Sequence, residues 1–512
     1  MIPLTRRRLL QLGVGGLASA ACLVRIGASE AASDPSVVLR ASTRTLDVNG
    51  KAVRVFGIAQ ANGVAGLLAE ENGIRFRVRL VNELPTDTLI HWHGLTPPSE
   101  QDGVPDLSQP ALPTGQAYDY DFVHNRAGTF WMHSHLGLQE QQLLAAPLIV
   151  RDPAEAGLDE QEVIMLLHDF SFRTPEEIYE ELRRDAGMAM PMPGEGGQAE
   201  AEQHGDMTMG GTMEMDHAQE GGAAMDETMV MGQGHGGAMV HFNDVEYDAY
   251  LANDRSLADP EVIRVDPGGQ VRLRIINAAA ATNFVMDLGA LEGELIAVDG
   301  NPIEPVRARQ LDLAIAQRAD IRLRLPAGQG AYPVLALRED GRERTGVILA
   351  TKTAQVSRLP EQGESKSRPL DLGLERRLSP VSPLPERGAQ RTHVLALTGS
   401  HAGYDWRLNG KGFDPDDPLT VAEGERVEIV LRNKTAMPHP IHLHGHHFQV
   451  VAIDDERFSG AVRDTVLVPP ERSVTIAFDA DNPGHWAFHC HQLYHMAAGM
   501  MTSVRYEGYK RA

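Results

Sequence analysis

A turn, a run of alternating apolar and polar residues and a polar stop recur three times along the chain. The alternating runs cover Ile74 to Val81, Gln270 to Ile276 and Glu425 to Arg432, and an asparagine follows each run. Alternation with a period of two is typical of β-strands that bury one face. A helical pattern is clear only near Pro175 to Arg184, where it predicts one surface helix. The chain is therefore predicted to be all-β and built of β-sandwiches.

The spacing of these repeats is that of domains and is too long for a solenoid. A length of 512 residues corresponds to roughly three to four domains. We predict an N-terminal signal segment at 1–32 and sandwich domains at 36–155, 156–355 and 389–512, with a linker at 356–388.

A second repeat relates the first and third sandwiches. The segment from Gly128 to His135 matches the segment from Gly484 to His491 in spacing and character, and each ends in a His-x-His pair. The corresponding part of the middle sandwich, near Tyr332, has no histidine pair. The outer sandwiches are therefore predicted to share one task, with the middle one acting as a spacer.

The chain is acidic, with 47 Lys and Arg residues against 70 Asp and Glu residues and a formal charge of −23. This charge argues against a nucleic acid as partner, because binding to phosphates needs basic surfaces. It is compatible with cationic substrates, including metal ions.

The N-terminal residues resemble an export signal. Arg6 to Arg8 form a basic head before the apolar run Leu9 to Val24, as in a twin-arginine signal, and Ala31 and Ala32 offer a cleavage site. We expect a periplasmic or otherwise exported protein without a stable membrane span; an uncleaved anchor is the alternative. Of the two cysteines, Cys22 lies in this segment, so the mature chain keeps one thiol and forms no internal disulfide.

Residues Gly187 to Met239 contain eleven of the 19 methionines, with several acids and three histidines. The stretch has almost nothing to bury, which predicts a mobile insertion in the second domain. It could be a plain linker. However, clustered thioethers with carboxylates and imidazoles suit a soft metal ion, first of all Cu(I).

Four short clusters contain ten histidines, one cysteine and one methionine. They are His91 and His93; His133 and His135; His439, His442 and His444; and His489, Cys490, His491 and His495, followed by Met500. A single His-x-His pair is weak evidence for a metal site, since both rings share one face of a strand and can equally be a satisfied surface pair. Four clusters in one chain favour metal binding.

Strand geometry divides the last cluster between two sites. His489 and His491 point to one side of a strand and Cys490 to the other, so the imidazoles can face a metal cluster between domains while the thiolate binds a separate metal. Two imidazoles, a thiolate and a weak thioether make the ligand set of a blue-copper site. His439, which precedes Pro440, can turn toward the thiolate side.

The remaining eight histidines suit a cluster of coppers that binds O2. A structural zinc site usually has more cysteines, and a non-haem iron site would include a carboxylate. Neither alternative matches these clusters as well as copper does.

In this order and spacing the clusters resemble those of the multicopper oxidases, from about Val38 to Tyr506. The arginines at the start, the segment Gly137 to Gln141 and the run from His489 to Met496 look like the periplasmic copper-resistance branch. The resemblance implies three consecutive cupredoxin-like Greek-key β-sandwich domains and four copper ions. It also implies that four one-electron oxidations of a substrate are coupled to reduction of O2 to two waters.

The resemblance also implies the role of each cluster residue. By motif position, the type 1 copper ligands are His439, Cys490, His495 and Met500. The type 2 ligands are His91 and His442. The type 3 ligands are His93, His133, His135, His444, His489 and His491.

Two positions bear on proton supply. Asp102 lies eleven residues after His91, where the family often has an acid near the trinuclear cluster, and its carboxylate could steer protons to reduced oxygen. A plain turn before Gly103 is the alternative. Met496 follows His495, in a segment where many relatives have a carboxylate, which leaves the proton route there open.

The other histidines and the tryptophans are predicted to be structural. His446 and His447 are expected to be ordinary strand residues, and Trp92, Trp131 and Trp486 to be packing beside the sites. The expected structural or surface histidines are His124, His168, His241, His393, His401 and His485.

The substrate is the open question. The methionine-rich stretch favours Cu(I), for detoxification. Alternatives are a laccase-like oxidation of phenols or another small donor such as Fe(II), and a copper buffer without turnover, against which the intact ligand set argues. A monomer is compatible with the sequence.

Overall fold

The computed structural model describes residues 37–71, 75–124, 126–188 and 242–510. The predicted signal segment and nearly all of the methionine-rich stretch lie outside these ranges, as does His241. Among the described helices, none combines the length and the hydropathy needed to cross a membrane. The described chain is mostly strands, which confirms the all-β prediction.

The first unit consists of two four-stranded sheets. Its strands are β1 (Val37–Val48), β2 (Lys51–Gln60), β3 (Leu67–Glu71), β4 (Arg75–Asn82), β5 (Ile90–His93), β6 (Ala117–Val123), β7 (Gly128–Ser134) and β8 (Ala145–Arg151). One sheet has the order β2-β1-β4-β6 and the other the order β3-β8-β7-β5. Short 3-10 turns occur at Ser99–Gln101, Gln139–Gln142 and Pro153–Glu155.

The second unit is larger. Its strands are β9 (Gln161–Phe170), β10 (Ala249–Ala252), β11 (Val262–Arg264), β12 (Gln270–Asn277), β13 (Phe284–Asp287), β14 (Gly293–Val298), β15 (Asn301–Ala308), β16 (Gln310–Leu313), β17 (Arg318–Arg324), β18 (Ala331–Arg338) and β19 (Arg344–Ala350). The sheets have the orders β10-β9-β12-β17-β14-β15 and β11-β19-β18-β13-β16. Helix α1 (Pro175–Met188) follows β9 and confirms the predicted helix.

The third unit repeats the plan. Its strands are β20 (Arg391–Ser400), β21 (Asp405–Leu408), β22 (Leu419–Val421), β23 (Arg426–Asn433), β24 (His439–Leu443), β25 (Phe448–Ile453), β26 (Glu456–Arg457), β27 (Val462–Arg463), β28 (Thr465–Val468), β29 (Ser473–Asp479), β30 (His485–Cys490) and β31 (Met501–Tyr506). One sheet contains β21-β20-β23-β29-β25-β26, with β27 beside β25, and the other has the order β22-β31-β30-β24-β28. The short helix α2 (Leu493–Ala497) and 3-10 turns at Glu375–Arg377 and Ala402–Tyr404 complete the elements.

The three predicted alternating runs are equivalent strands, namely β4, β12 and β23. Each pairs in parallel with the first strand of its own unit and antiparallel with one later strand. In β4 the residues alternate between buried and partly exposed, as the sequence pattern predicts. The first unit therefore begins with the same topology as the other two.

The asparagine at the end of each run forms the same corner in all three units. The carboxamide of Asn82 donates to the carbonyls of Thr86 and Leu112, and its Oδ1 accepts from the amide of Leu84. Asn277 and Asn433 make equivalent sets of three bonds. All three side chains are buried, so the asparagine that ends each run stabilises the following turn through internal hydrogen bonds.

Each unit has its own apolar core, and the connecting segments pack across units. Ile178 of α1 and Val245 both belong to the core of the third unit. Helix α1 and the segment after residue 242 therefore lie against the part of the third unit that contains Cys490, which is in the same core.

Candidate metal centres

Two strand pairs position most of the cluster histidines. In the first unit β5 pairs antiparallel with β7, with His91 opposite His133. In the third unit β24 pairs antiparallel with β30, with His442 opposite His489. The second histidine of each His-x-His pair is the last residue of its strand or follows just after the strand ends. Imidazoles from both units therefore face a common buried space.

Eight buried imidazoles converge there, four from the first unit and four from the third. Nε2 of His489 lies 3.0 Å from Nε2 of His444 and 3.3 Å from Nε2 of His135. Nε2 of His442 lies 3.5 Å from Nε2 of His91. Two nitrogens that each bind one ion at about 2 Å are separated by about 3.3 Å at a tetrahedral angle, so the spacing fits shared metal ions.

A further set of three histidines also has a geometry that suits a metal ion. One ring nitrogen from each of His93, His133 and His491 lies within 4.8 Å of the others. Nδ1 of His93, Nε2 of His133 and Nε2 of His491 are all buried without a hydrogen-bond partner among the described residues. Buried ring nitrogens are normally satisfied, so three unsatisfied ones facing each other suit a soft or borderline cation such as copper.

Cys490 lies on the opposite face of β30, as the alternation predicts. Its Sγ is 3.7 Å from Nδ1 of His439 and 3.8 Å from Nδ1 of His495, and these two nitrogens are 3.1 Å apart. Met500 is buried beside them, and its backbone bonds Cys490 and His495. Burial raises the pKa of the Cys490 thiol well above its usual value, so the thiolate needs a bound cation.

Burial lowers the pKa of His439, His442 and His444 well below the usual value for histidine, and neighbouring imidazoles lower the pKa of each further. These three rings are therefore neutral, which is the form that binds metal ions.

Asp102 contacts two cluster histidines. Its Oδ2 lies 2.8 Å from Nδ1 of His444, and its Oδ1 lies 3.2 Å from Nδ1 of His91. Gly103 has a φ of +80°, and a side chain there would meet the carbonyl of Ile90, so the turn packs directly on β5. Turn formation and contact with the cluster therefore occur together at this position.

Asp464 is a second buried carboxylate at the cluster, which the sequence did not indicate. Its Oδ1 lies 3.1 Å from Nε2 of His93 and 3.7 Å from Nδ1 of His442. Arg318 of the second unit donates to Asp464 from Nη1 at 2.7 Å and also bonds the carbonyl of Thr129. One buried ion pair thus joins all three units directly behind the histidines.

Glu140 is the third such carboxylate. It lies in the turn Gln139–Gln142, and its Oε2 is 2.9 Å from Nδ1 of His133. Its Oε1 is 3.9 Å from Nδ1 of His491. Glu140 belongs to the segment Gly137 to Gln141, which resembles the copper-resistance branch, but its position in the sequence indicated no role for it.

The middle unit is more than a spacer, and that prediction was wrong. Besides Arg318, the segment of this unit that leads into β10 places Asp244 beside the Cys490 site, where Oδ2 accepts from Nε2 of His495 at 2.9 Å. Asp244 also accepts from His401, Tyr404 and Gln492. Although burial raises its pKa, the charges and hydrogen bonds of His495 and His401 hold the pKa of Asp244 well below its usual value.

Three histidines outside the proposed ligand set make specific hydrogen bonds near the two sites. His446 and His447 lie in the turn between β24 and β25 and not in a strand, so that expectation was wrong. His446 bonds the Tyr506 hydroxyl, whereas His447 bonds Asn301 and the carbonyl of Gly94. His401, which was expected to be a structural or surface histidine, bonds Oδ1 of Asp244 at 2.8 Å.

The tryptophans are buried as expected. Trp131 stacks on His133 with a centroid distance of 4.2 Å, and Trp92 packs edge-on against Phe76. Trp406, which the sequence did not single out, lies 4.2 Å from His495 between ring centroids.

Three family models described as multicopper oxidase match residues 45–155, 210–356 and 386–508. The multicopper oxidase MmcO of Mycobacterium tuberculosis is 30% identical, over 98% of this chain and 96% of the relative. The chain is a multicopper oxidase. A copper resistance protein A homolog of Pseudomonas syringae pv. tomato is 28% identical, over 87% of this chain and 88% of its own length.

A solved structure supports the fold of this multicopper oxidase. The multi-copper oxidase of Pseudomonas thermotolerans superimposes with a TM-score of 0.65 at 24% identity, covering 92% of this chain and 98% of that chain. The three sheet pairs are thus cupredoxin-like sandwiches, as predicted. The protein is an oxidoreductase of the family that uses O2 as electron acceptor.

Proposed function

We propose that this multicopper oxidase binds four copper ions at the two sites. The type 1 copper is assigned to His439, Cys490, His495 and Met500, and the type 2 copper to His91 and His442. The type 3 pair is assigned to the sets His93, His133 and His491, and His135, His444 and His489. The observation that carries the proposal is that β30 presents Cys490 to one buried site and two imidazoles to the other.

Bound copper would supply one-electron oxidation at the Cys490 site and reduction of O2 to two waters at the eight-histidine site. The chain itself fixes the distance between them. His489 and His491 are the sequence neighbours of Cys490, so only a few covalent bonds join the two sites. The rings are buried against tryptophans and carboxylates, which excludes bulk water and fixes their orientation.

Asp102 is proposed to act at the eight-histidine site. Its backbone carbonyl accepts from Nδ1 of His91 at 2.8 Å and its Oδ2 accepts from Nδ1 of His444 at 2.8 Å, so the residue holds one ring from each outer unit. Its Oδ1 has no hydrogen-bond partner among the described residues, which leaves this atom free to bond a water and pass a proton.

Cu(I) is the proposed substrate, in copper detoxification. The segment from Asn243 to Tyr247 borders the Cys490 site, and it follows the methionine-rich stretch by only a few residues. In the sequence, the thioether-rich residues therefore come immediately before a segment that borders the proposed point of electron transfer. The relative named for copper resistance supports this choice, and oxidation of phenols is the second candidate.

The location and domain boundaries complete the proposal. The arginine-rich start supports export to the periplasm, with the mature chain beginning after residue 32. The boundaries 36–155, 156–355 and 389–512 are proposed for the three domains, and the division of the strands into three pairs of sheets supports three domains in this order.

Oxygen uptake by the copper-loaded protein tests the function. Cu(I), Fe(II) and a phenol are compared as donors at equal concentration, with copper content measured on the same sample. Uptake fastest with Cu(I) supports the proposal, whereas uptake fastest with the phenol supports the laccase-like alternative. Four bound coppers with no uptake for any donor would mean a copper buffer.

A deletion of residues 189–239, which keeps α1, tests the role of the methionine-rich stretch. We expect slower oxidation of Cu(I) and equal or faster oxidation of a bulky phenol. The matched control replaces the stretch with a Gly/Ser segment of equal length, which separates loss of thioethers from loss of length. Unchanged Cu(I) oxidation in both proteins would remove the stretch from the substrate route.

A further inference from the structure

Three buried carboxylates lie behind the eight-histidine site, and each contacts one imidazole of the first unit and one of the third. The contacts are Asp102 with His91 and His444, Asp464 with His93 and His442, and Glu140 with His133 and His491. A carboxylate that accepts from one ring nitrogen of a histidine fixes which nitrogen is left to bind metal. The repeated pattern points to one role for all three residues.

Glu140 is the member of this set that closes the Nδ1 side of His133 and His491. Its side chain is only 3% exposed and lies between the two rings. Oε2 is 2.9 Å from Nδ1 of His133, a nitrogen that also bonds the carbonyl of Ser134. Oε1 of Glu140 and Nδ1 of His491 are 3.9 Å apart, and both are buried without a hydrogen-bond partner among the described residues.

The neighbours of Glu140 hold its turn in place. The Oε1 of Gln139 accepts from the hydroxyls of Thr88 and Ser134. The Oε1 of Gln141 accepts from the hydroxyls of Tyr247 and Tyr494. Because side chains on both sides are anchored, the carboxyl of Glu140 is presented to the histidines with little freedom.

The segment after His491 does not supply an acid of its own. Residues Gln492 to Gly499 contain no carboxylate. The acid facing His491 therefore comes from the first unit and reaches across to the third.

We propose that Glu140 is a positioning residue that fixes the rings of His133 and His491 with their Nε2 atoms toward Nδ1 of His93. The inference rests on the proposed copper sites. The Glu140 carboxyl lies on the Nδ1 side of both rings, 2.9 Å from Nδ1 of His133 and 3.9 Å from Nδ1 of His491, which leaves the Nε2 atom of each ring for a metal ion. Glu140 thus preorganises one three-histidine set across the boundary between two units.

Glu140→Gln in the copper-loaded full chain is the decisive variant. The amide keeps one oxygen acceptor for one ring, but it presents an N–H to the other. We expect affinity for one copper to fall about 10- to 100-fold, measured as copper per chain after dialysis against a competing chelator. The share of copper visible by electron paramagnetic resonance should rise, because a Cu(II) that has lost its coupled neighbour is no longer silent. The blue absorbance of the Cys490 site should not change.

Glu339→Gln is the matched control. Glu339 is an equally buried glutamate that accepts from Asn283 and from the amide of Leu370, and no histidine contact is found for it in the described chain. We expect this variant to keep the wild-type copper content and resonance spectrum.

The outcomes separate the two proposals. Wild-type copper content and spectrum in Glu140→Gln overturn the positioning role, as does an identical change in Glu339→Gln. A wild-type protein that binds one copper or none at these histidines overturns the proposed function instead. Loss of one copper with an altered spectrum in Glu140→Gln alone supports the positioning role.

Discussion

The Cys490 site and the eight-histidine site differ in which units of the fold supply their side chains. The side chains of the first site all come from the third unit, between His439 and Met500, and one core surrounds them. The second site takes four imidazoles from the first unit and four from the third, so it exists only where these units dock. Folding within one unit therefore brings together the candidate ligands of the first site, whereas those of the second site need two units to dock, although a single strand, β30, contributes to both.

Cys490→Ser is the sharpest test of that division. The hydroxyl is a poor substitute for thiolate sulfur, so we expect complete loss of blue absorbance and of oxygen uptake, with a drop from four coppers to three. Copper analysis and the visible spectrum of one sample measure both effects. Blue colour in the variant would contradict the assignment of Cys490.

Arg318→Ala tests the dependence on assembly. Removing a fully buried guanidinium leaves Asp464 without its ion pair, which should lower the free energy of unfolding by about 3–5 kcal/mol and weaken copper binding at the eight-histidine site. Denaturant unfolding and copper content measure these changes.

Arg307→Ala is the control for that variant. Arg307 pairs with Glu294 at the surface and is 73% exposed, so its removal should change stability by less than about 0.5 kcal/mol. Equal losses in the two variants would show that the buried pair does not join the units.

Asp244→Asn tests the Cys490 site alone. The variant weakens the acceptor for Nε2 of His495 and places an amide N–H among the donors of His401 and Tyr404. We expect donor oxidation to fall about 10- to 100-fold, with unchanged copper at the eight-histidine site. Asp405→Asn, a nearby change of an exposed acid, is the control. Wild-type oxidation rates with every donor would remove Asp244 from the site.

Glu339→Gln probes the middle unit with the smallest expected effect. Burial raises the pKa of Glu339 to about 7. Because this value lies above the ordinary 4.5, the stability from the neutral carboxyl is complete below about pH 4.5 and is lost as the pH rises through about 7.

Between pH 5.5 and 7.5 the wild type should therefore lose about 1 to 2 kcal/mol that the amide variant keeps. Unfolding free energies of both proteins at the two pH values measure the difference. Parallel pH profiles would contradict it. Spectra of both copper sites should remain those of the wild type.

The sequence predicted the features that are local. Strand alternation is enough to place Cys490 and its neighbouring histidines on opposite faces, and the asparagine stops mark equivalent strands in all three units. The class of fold follows from the same patterns, since each alternating run is a strand with one buried face.

The contacts made through the tertiary fold had no local signal. Asp464 meets His93 across a sequence separation of 371 residues, and Asp244 meets His495 across 251. Neither acid stands in a motif, so only the folded chain identifies it. His446 and His447 were misjudged because Gly445, with a φ of +66°, ends the strand and turns the chain before them.

The even division of imidazoles between the outer units has a consequence for stability. An ion bound by rings of both units is a cross-link, and its binding free energy adds to the free energy that keeps them docked. With the proposed copper sites, scarcity of copper would therefore lower the stability of the protein as well as its activity. The concentration of free copper in the surrounding compartment would set the stability of the interface between the first and third units.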